Sequence, residues 1–85
     1  MTEFTYTITD PLGVHARPAG VFVKEAANYP CTITIGKNGK DVDAKRILGV
    51  MSLGVKQGED VVVKCDGDQE EEAAQKLEAF LKENL

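Results

Sequence analysis

Residues 2–9 alternate without a break: Phe4, Tyr6 and Ile8 point one way, and Glu3, Thr5, Thr7 and Thr9 point the other. A period of two is the mark of a strand with one face in a core and one in water. The pattern returns at Cys31, Ile33 and Ile35, set against Thr32 and Thr34, and residues 61–65 form a third, strongly β-branched run. Asn38-Gly39 follows the second strand directly and is a tight hairpin signal, so residues 40–43 are expected to return as a short edge strand. The chain must therefore build a sheet that is covered on one face only.

Helical periodicity fills the gaps between these runs. Asp10-Pro11-Leu12-Gly13 carries turn chemistry, and over residues 16–27 the apolar positions Ala16, Ala19, Val23, Ala26 and Ala27 fall on one helical face. Asn28-Tyr29-Pro30 ends that helix. A short helix is expected over residues 47–53, with Gly54 just past its end. Asp68 and Glu71 have the spacing of a capping box, which would open a last helix with Ala73, Ala74, Leu77, Phe80 and Leu81 inward.

The order β-α-β-β-α-β-α implies an α+β fold, an open-faced β-sandwich in which three helices cover one face of a four-stranded antiparallel sheet. Eighty-five residues leave room for one domain, residues 1–85. Cys31 and Cys65 have no metal-ligand or redox-motif spacing and are read as buried small hydrophobes. One histidine among scattered carboxylates makes no metal set, and neither a metal nor another cofactor is expected. With no secretory leader and no apolar run of membrane-spanning length, the expectation is a soluble cytoplasmic protein that does not insert into membranes.

Charge is distributed unevenly. The net charge is −4, yet residues 13–56 hold seven Lys or Arg against three acids, whereas residues 57–85 hold three against nine. An acidic chain with one basic region is poorly suited to nucleic acid and better suited to an acidic protein partner or a single phosphate.

His15 stands at the head of the first helix. The leading N–H groups there, those of Ala16 and Arg17, have no intrahelical partners, and Pro18 suits a first turn. Those donors, the helix dipole and the Arg17 guanidinium make an anion cradle beside a nucleophilic ring nitrogen. The spacing alone also fits a surface histidine at a helix start with Arg17 merely solvated. Ile47, Leu48 and Met51, beside Lys45 and Arg46, read either as core residues or as a docking patch rimmed by cations. Ser52, in a Gly-rich helix end, reads as structural before it reads as a nucleophile.

Two segments carry a family resemblance, Gly13-Val14-His15-Ala16-Arg17-Pro18-Ala19 and Leu48-Gly49-Val50-Met51-Ser52-Leu53-Gly54-Val55. With the Asn38-Gly39 turn and the element order, the chain resembles HPr, the histidine-containing phosphocarriers of the phosphoenolpyruvate-dependent sugar phosphotransferase system. The resemblance spans essentially all of the sequence. It implies that His15 accepts phosphate on Nδ1 from phosphorylated enzyme I and passes it to IIA domains of sugar permeases. Arg17, with the backbone N–H groups of Ala16 and Arg17, would hold the phosphoryl group. Gly20, Lys24, Arg46, Ile47, Leu48, Met51 and Ser52 would form the docking surface. Such a protein is a stoichiometric carrier more than an enzyme, needs no cofactor, and is expected here as a monomer. The alternative is a carrier in a parallel regulatory, nitrogen-type phosphotransfer chain. Two positions depart from the pattern. Arg46 stands where Gram-positive relatives have a serine modified by an ATP-dependent kinase, so no regulatory serine is expected there. Leu12 replaces what is often a small polar residue.

Overall fold

A computed structural model describes residues 1–85. Strands β1 (Thr2–Thr7), β2 (Thr32–Lys37), β3 (Lys40–Asp43) and β4 (Asp60–Asp66) alternate with helices α1 (Ala16–Ala26), α2 (Ile47–Ser52) and α3 (Glu70–Asn84). The strands pair in the order β1-β4-β2-β3, and every pairing is antiparallel. The last strand in the chain thus enters the middle of the sheet, where its β-branched residues have neighbours on both sides. In register, Phe4 meets Val63 and Val63 meets Ile35. Asn38 and Gly39 both adopt positive φ, as the tight β2–β3 hairpin requires.

The helices form one layer. α3 lies on β1 and β4, α1 packs against α2 and α3, and α2 contacts β3. A single apolar cluster fills the space between layers, with Ile8, Phe22, Ile33, Ile35, Leu77 and Leu81 almost wholly enclosed. Thr5, Thr7 and Thr32 face water on the other side of the sheet. Cys31 and Cys65 are unpaired and buried, and burial pushes the Cys65 thiol up to about 11, so it stays protonated and inert.

Several local expectations need correction. The inward face of α1 is Ala19, Phe22 and Ala26, whereas Ala16 and Ala27 are exposed and Val23 is half-buried. The large Phe22 ring, in tilted contact with Phe80 at 6.0 Å, sets the rotation of a helix whose alanines specify little. β1 ends at Thr7 because the ladder lapses beyond it: Ile8 N–H still reaches Glu59 O, but Ile8 O takes the Gly58 N–H, the Glu59 N–H turns to Lys56 O, and the Thr9 N–H goes to Leu85 O. The short helix closes one residue early, with Leu53 as its cap.

The last helix does not open on an Asp68–Glu71 box. Gln69 takes a left-handed conformation, so the capping carboxylate is that of Glu70, which accepts the Gly67 N–H at 3.1 Å. Glu70 also accepts the Thr2 hydroxyl at 2.7 Å and pairs with the Met1 ammonium at 3.1 Å, tying α3 to β1. These contacts, the Thr2 bond foremost, lower the Glu70 carboxyl to about 2. Its folded pKa lies below the ordinary 4.5, so its stabilisation is complete above that value and is lost as the pH falls toward 2. Thermal melts should therefore show the stability gap between the parent and Glu70→Gln narrowing from pH 5 to pH 2, while remaining constant from pH 5 to pH 7.

Candidate functional site

The site begins in the loop between β1 and α1. Asp10 Oδ1 accepts the Leu12 N–H at 2.9 Å, and the Asp10 carbonyl accepts the Gly13 N–H at 2.8 Å. The loop is pinned from both sides. Leu85 O accepts the Thr9 and Asp10 amides and the Thr9 hydroxyl, and Val55 O accepts the Val14 N–H at 3.0 Å. Gln57 Nε2 donates to Thr9 O. The backbone therefore enters α1 along a fixed path, and His15 falls at the N-cap.

His15 is extended there (φ −107°, ψ 174°), its carbonyl accepts the Ala19 N–H at 3.0 Å, and its ring makes no capping bond. The ring is instead partly in solvent, at 34% exposure, with Nε2 lying 3.4 Å from Asp10 Oδ2. The N–H groups of Ala16 and Arg17 have no protein acceptor, and Pro18 has none to offer. No acidic residue occupies the first turn to compensate the positive helix end. The Arg17 side chain is exposed and forms no ion pair within the chain. One ring nitrogen, two amide donors and a guanidinium thus lie within three residues at an accessible point.

The second sequence segment folds as α2 beside α1. Leu48 is 83% exposed and Ile47 38%, while Val50 and Leu53 take the inward places and Met51 packs partly on the core. Leu48 is therefore not a core residue. Gly20 has open space above it, and Lys24 is exposed in the last turn of α1. Arg46 caps α2, 81% exposed, with Asp43 at 3.6 Å. Lys45 leaves the rim, since its Nζ donates to the carbonyls of Tyr29 and Cys31, both at 2.7 Å. Ser52 Oγ donates to Gly49 O at 2.6 Å, a local helix-end bond.

Two residues near these groups are not singled out by the sequence. Val21, 50% exposed, adds apolar area next to Gly20 and Lys24; its signal is its place one step outside the Ala19, Phe22, Ala26 arc. In the sequence Asp10 reads as turn chemistry alone, and nothing local shows that its second oxygen reaches His15. No group of three or more His, Cys, Asp or Glu side chains converges anywhere as metal ligands.

The family profile described as "PTS HPr component phosphorylation site" matches residues 2–83. The chain belongs to the HPr family. An HPr phosphocarrier protein from Mycoplasma capricolum is 39% identical over 77 residues, 91% of this chain and 86% of the relative. A crystal structure of HPr from Thermoanaerobacter tengcongensis superposes with a TM-score of 0.92 at 44% identity, covering 96% of this chain and 92% of that one. HPr is a phosphocarrier of the phosphotransferase system, and the fold and motifs described here are those of such a protein. An HPr dimer from the same thermophile also matches, with a TM-score of 0.78 at 43% identity over 98% of this chain and 95% of that one. HPr-type chains are therefore not uniformly monomeric, and the expectation of a monomer finds no support in these relatives. No helix is long and apolar enough to cross a membrane.

Proposed function

We propose that this chain is a cytoplasmic carrier that takes a phosphoryl group from phosphorylated enzyme I onto His15 Nδ1 and gives it to IIA domains of sugar permeases. The observation that supports this most directly is the position of His15 at the open N-terminus of α1. The Ala16 and Arg17 amides that follow it in the chain are unpartnered, and the Arg17 guanidinium forms no ion pair. Nδ1 is the ring nitrogen that does not face Asp10. Transfer between two nitrogens needs alignment and charge stabilisation more than further covalent chemistry, and pre-aimed amides with a forked cation supply both. Incubation with phosphoenolpyruvate and enzyme I should give one acid-labile phosphate per chain. The absence of any would remove the proposal.

Gly20, Val21, Lys24, Arg46, Ile47, Leu48, Met51 and Ser52 would meet the partner as a mixed apolar and cationic face. Arg46 keeps a permanent cation where the resemblance places a regulatory serine, so control by phosphorylation at that position is absent from this reading. Leu48→Asp should weaken enzyme I binding by about 10- to 100-fold, because a carboxylate enters an apolar contact opposite an acidic partner. Its melting temperature should stay within a few degrees of the parent, as Leu48 is 83% exposed. Calorimetric titration and a thermal melt check the two halves, and a collapse in stability with unchanged binding would return Leu48 to the core.

A further inference from the structure

Asp10 is held more firmly than turn formation requires. Its N–H bonds Leu85 O at 2.9 Å, its carbonyl takes the Gly13 N–H, and Oδ1 takes the Leu12 N–H. With the main chain fixed and one carboxylate oxygen committed, the other oxygen is left 3.4 Å from His15 Nε2. An ionised carboxylate can only accept hydrogen bonds. The proton of the neutral imidazole is then drawn to Nε2, and the lone pair is left on Nδ1. We infer that Asp10 is a positioning residue for phosphoryl transfer, holding His15 as the Nε2–H tautomer with Nδ1 free to attack. The inference rests on the phosphocarrier reading and assigns a role that the family motif around His15 does not contain.

The step balances without another reactant. The Nδ1 lone pair forms the N–P bond as the bond between phosphorus and the donor's leaving group breaks, and the leaving group keeps that electron pair. Positive charge develops on the ring and is shared with Nε2–H, which faces Asp10 Oδ2. The proton remains on Nε2. When the phosphoryl group moves on, the N–P electrons return to Nδ1. Asp10 thus stabilises charge that appears only as transfer proceeds, while Arg17 and the helix amides serve the phosphoryl oxygens.

The two obvious variants separate this role from a structural one. Asp10→Asn keeps the side-chain oxygen that accepts the Leu12 N–H, but it puts an amide nitrogen where Oδ2 was. That nitrogen donates to Nε2 and moves the ring proton to Nδ1, blocking the nucleophile. Asp10→Ala loses both contacts and leaves the ring free to choose its tautomer. A merely turn-forming aspartate predicts that Ala is the more damaging change. The positioning role predicts the reverse, with the Asn variant slower than the Ala variant by about tenfold or more in single-turnover transfer from phosphorylated enzyme I. Nitrogen-15 NMR of the neutral ring gives a readout independent of activity, expected to show Nε2–H in the parent and mainly Nδ1–H in Asp10→Asn. An Nδ1–H parent, an unchanged tautomer in Asp10→Asn, or an Asn variant as fast as Ala would overturn the inference. A parent that takes no phosphate, yet shows the tautomer exchange, would overturn the carrier reading and leave Asp10 as the residue that orients the ring.

Discussion

His15→Ala is expected to abolish phosphate incorporation from phosphoenolpyruvate and enzyme I while leaving a folded domain. The chain holds no second histidine. The Ser52 hydroxyl is engaged with Gly49 O, and the buried Cys65 thiol is kept protonated, so neither offers a substitute nucleophile. Removing the ring loses one partly exposed contact with Asp10, which costs under about 1 kcal/mol. The signature is therefore complete loss of acid-labile phosphate with a nearly unchanged melting curve. Arg17→Ala should behave as a graded version. It removes a charge-assisted partner of the phosphoryl oxygens worth roughly 1.5–3 kcal/mol, a rate loss of about one to two orders of magnitude, and it should not affect stability. Acid-labile phosphate on the His15→Ala protein would sink the site, and unchanged kinetics in Arg17→Ala would make that side chain mere solvated surface.

The contrast between these residues and the rest of the site follows from what a linear sequence can encode. Strands announce themselves through neighbours, so the alternation at Phe4, Tyr6 and Ile8 and the Asn38-Gly39 turn were enough to place a one-sided sheet. His15 and Arg17 were legible for the same reason: the helix start that arms them lies within their own few residues. Contacts made across the fold were not legible. The rotation of α1 is decided by Phe22 meeting Phe80, which are far apart in the chain, and a face assembled from alanines has too little apolar contrast to show it. Lys45 reads as a surface cation until β2 brings the Tyr29 and Cys31 carbonyls to it. The approach of Asp10 to His15 depends on a loop path set by Leu85 and Val55, from opposite parts of the sequence. The place of His15 at the helix start is thus readable in the sequence, and the approach of Asp10 to its ring is not.

That loop path also carries the largest expected effect on stability, at Gly13. Its φ is +68°, a left-handed conformation that costs an ordinary residue about 1–2 kcal/mol. A Cβ there would lie within 2.5 Å of Val55 O and 2.8 Å from Lys56 Cα, both main-chain atoms. Neither can swing aside as a side-chain tip could, because Val55 O already holds the Val14 N–H and Lys56 O holds the Glu59 N–H. Relief requires moving one backbone segment off the other, a further cost of about 1–3 kcal/mol. Gly13→Ala should therefore lose about 2–5 kcal/mol, a large share of the roughly 4–13 kcal/mol that a domain of this size commands. Gly39→Ala provides the control. Its φ is +84° but nothing lies within 4 Å of the added methyl, so it should cost only the conformational part, about 1–2 kcal/mol. Denaturant titrations of both variants isolate the clash as the difference between them. Equal losses would mean that the Val55 segment yields freely and does not fix the approach to His15. A larger loss at Gly13, accompanied by slower phosphoryl transfer in the fraction that remains folded, would show that the close crossing of these two backbones is what aims the histidine.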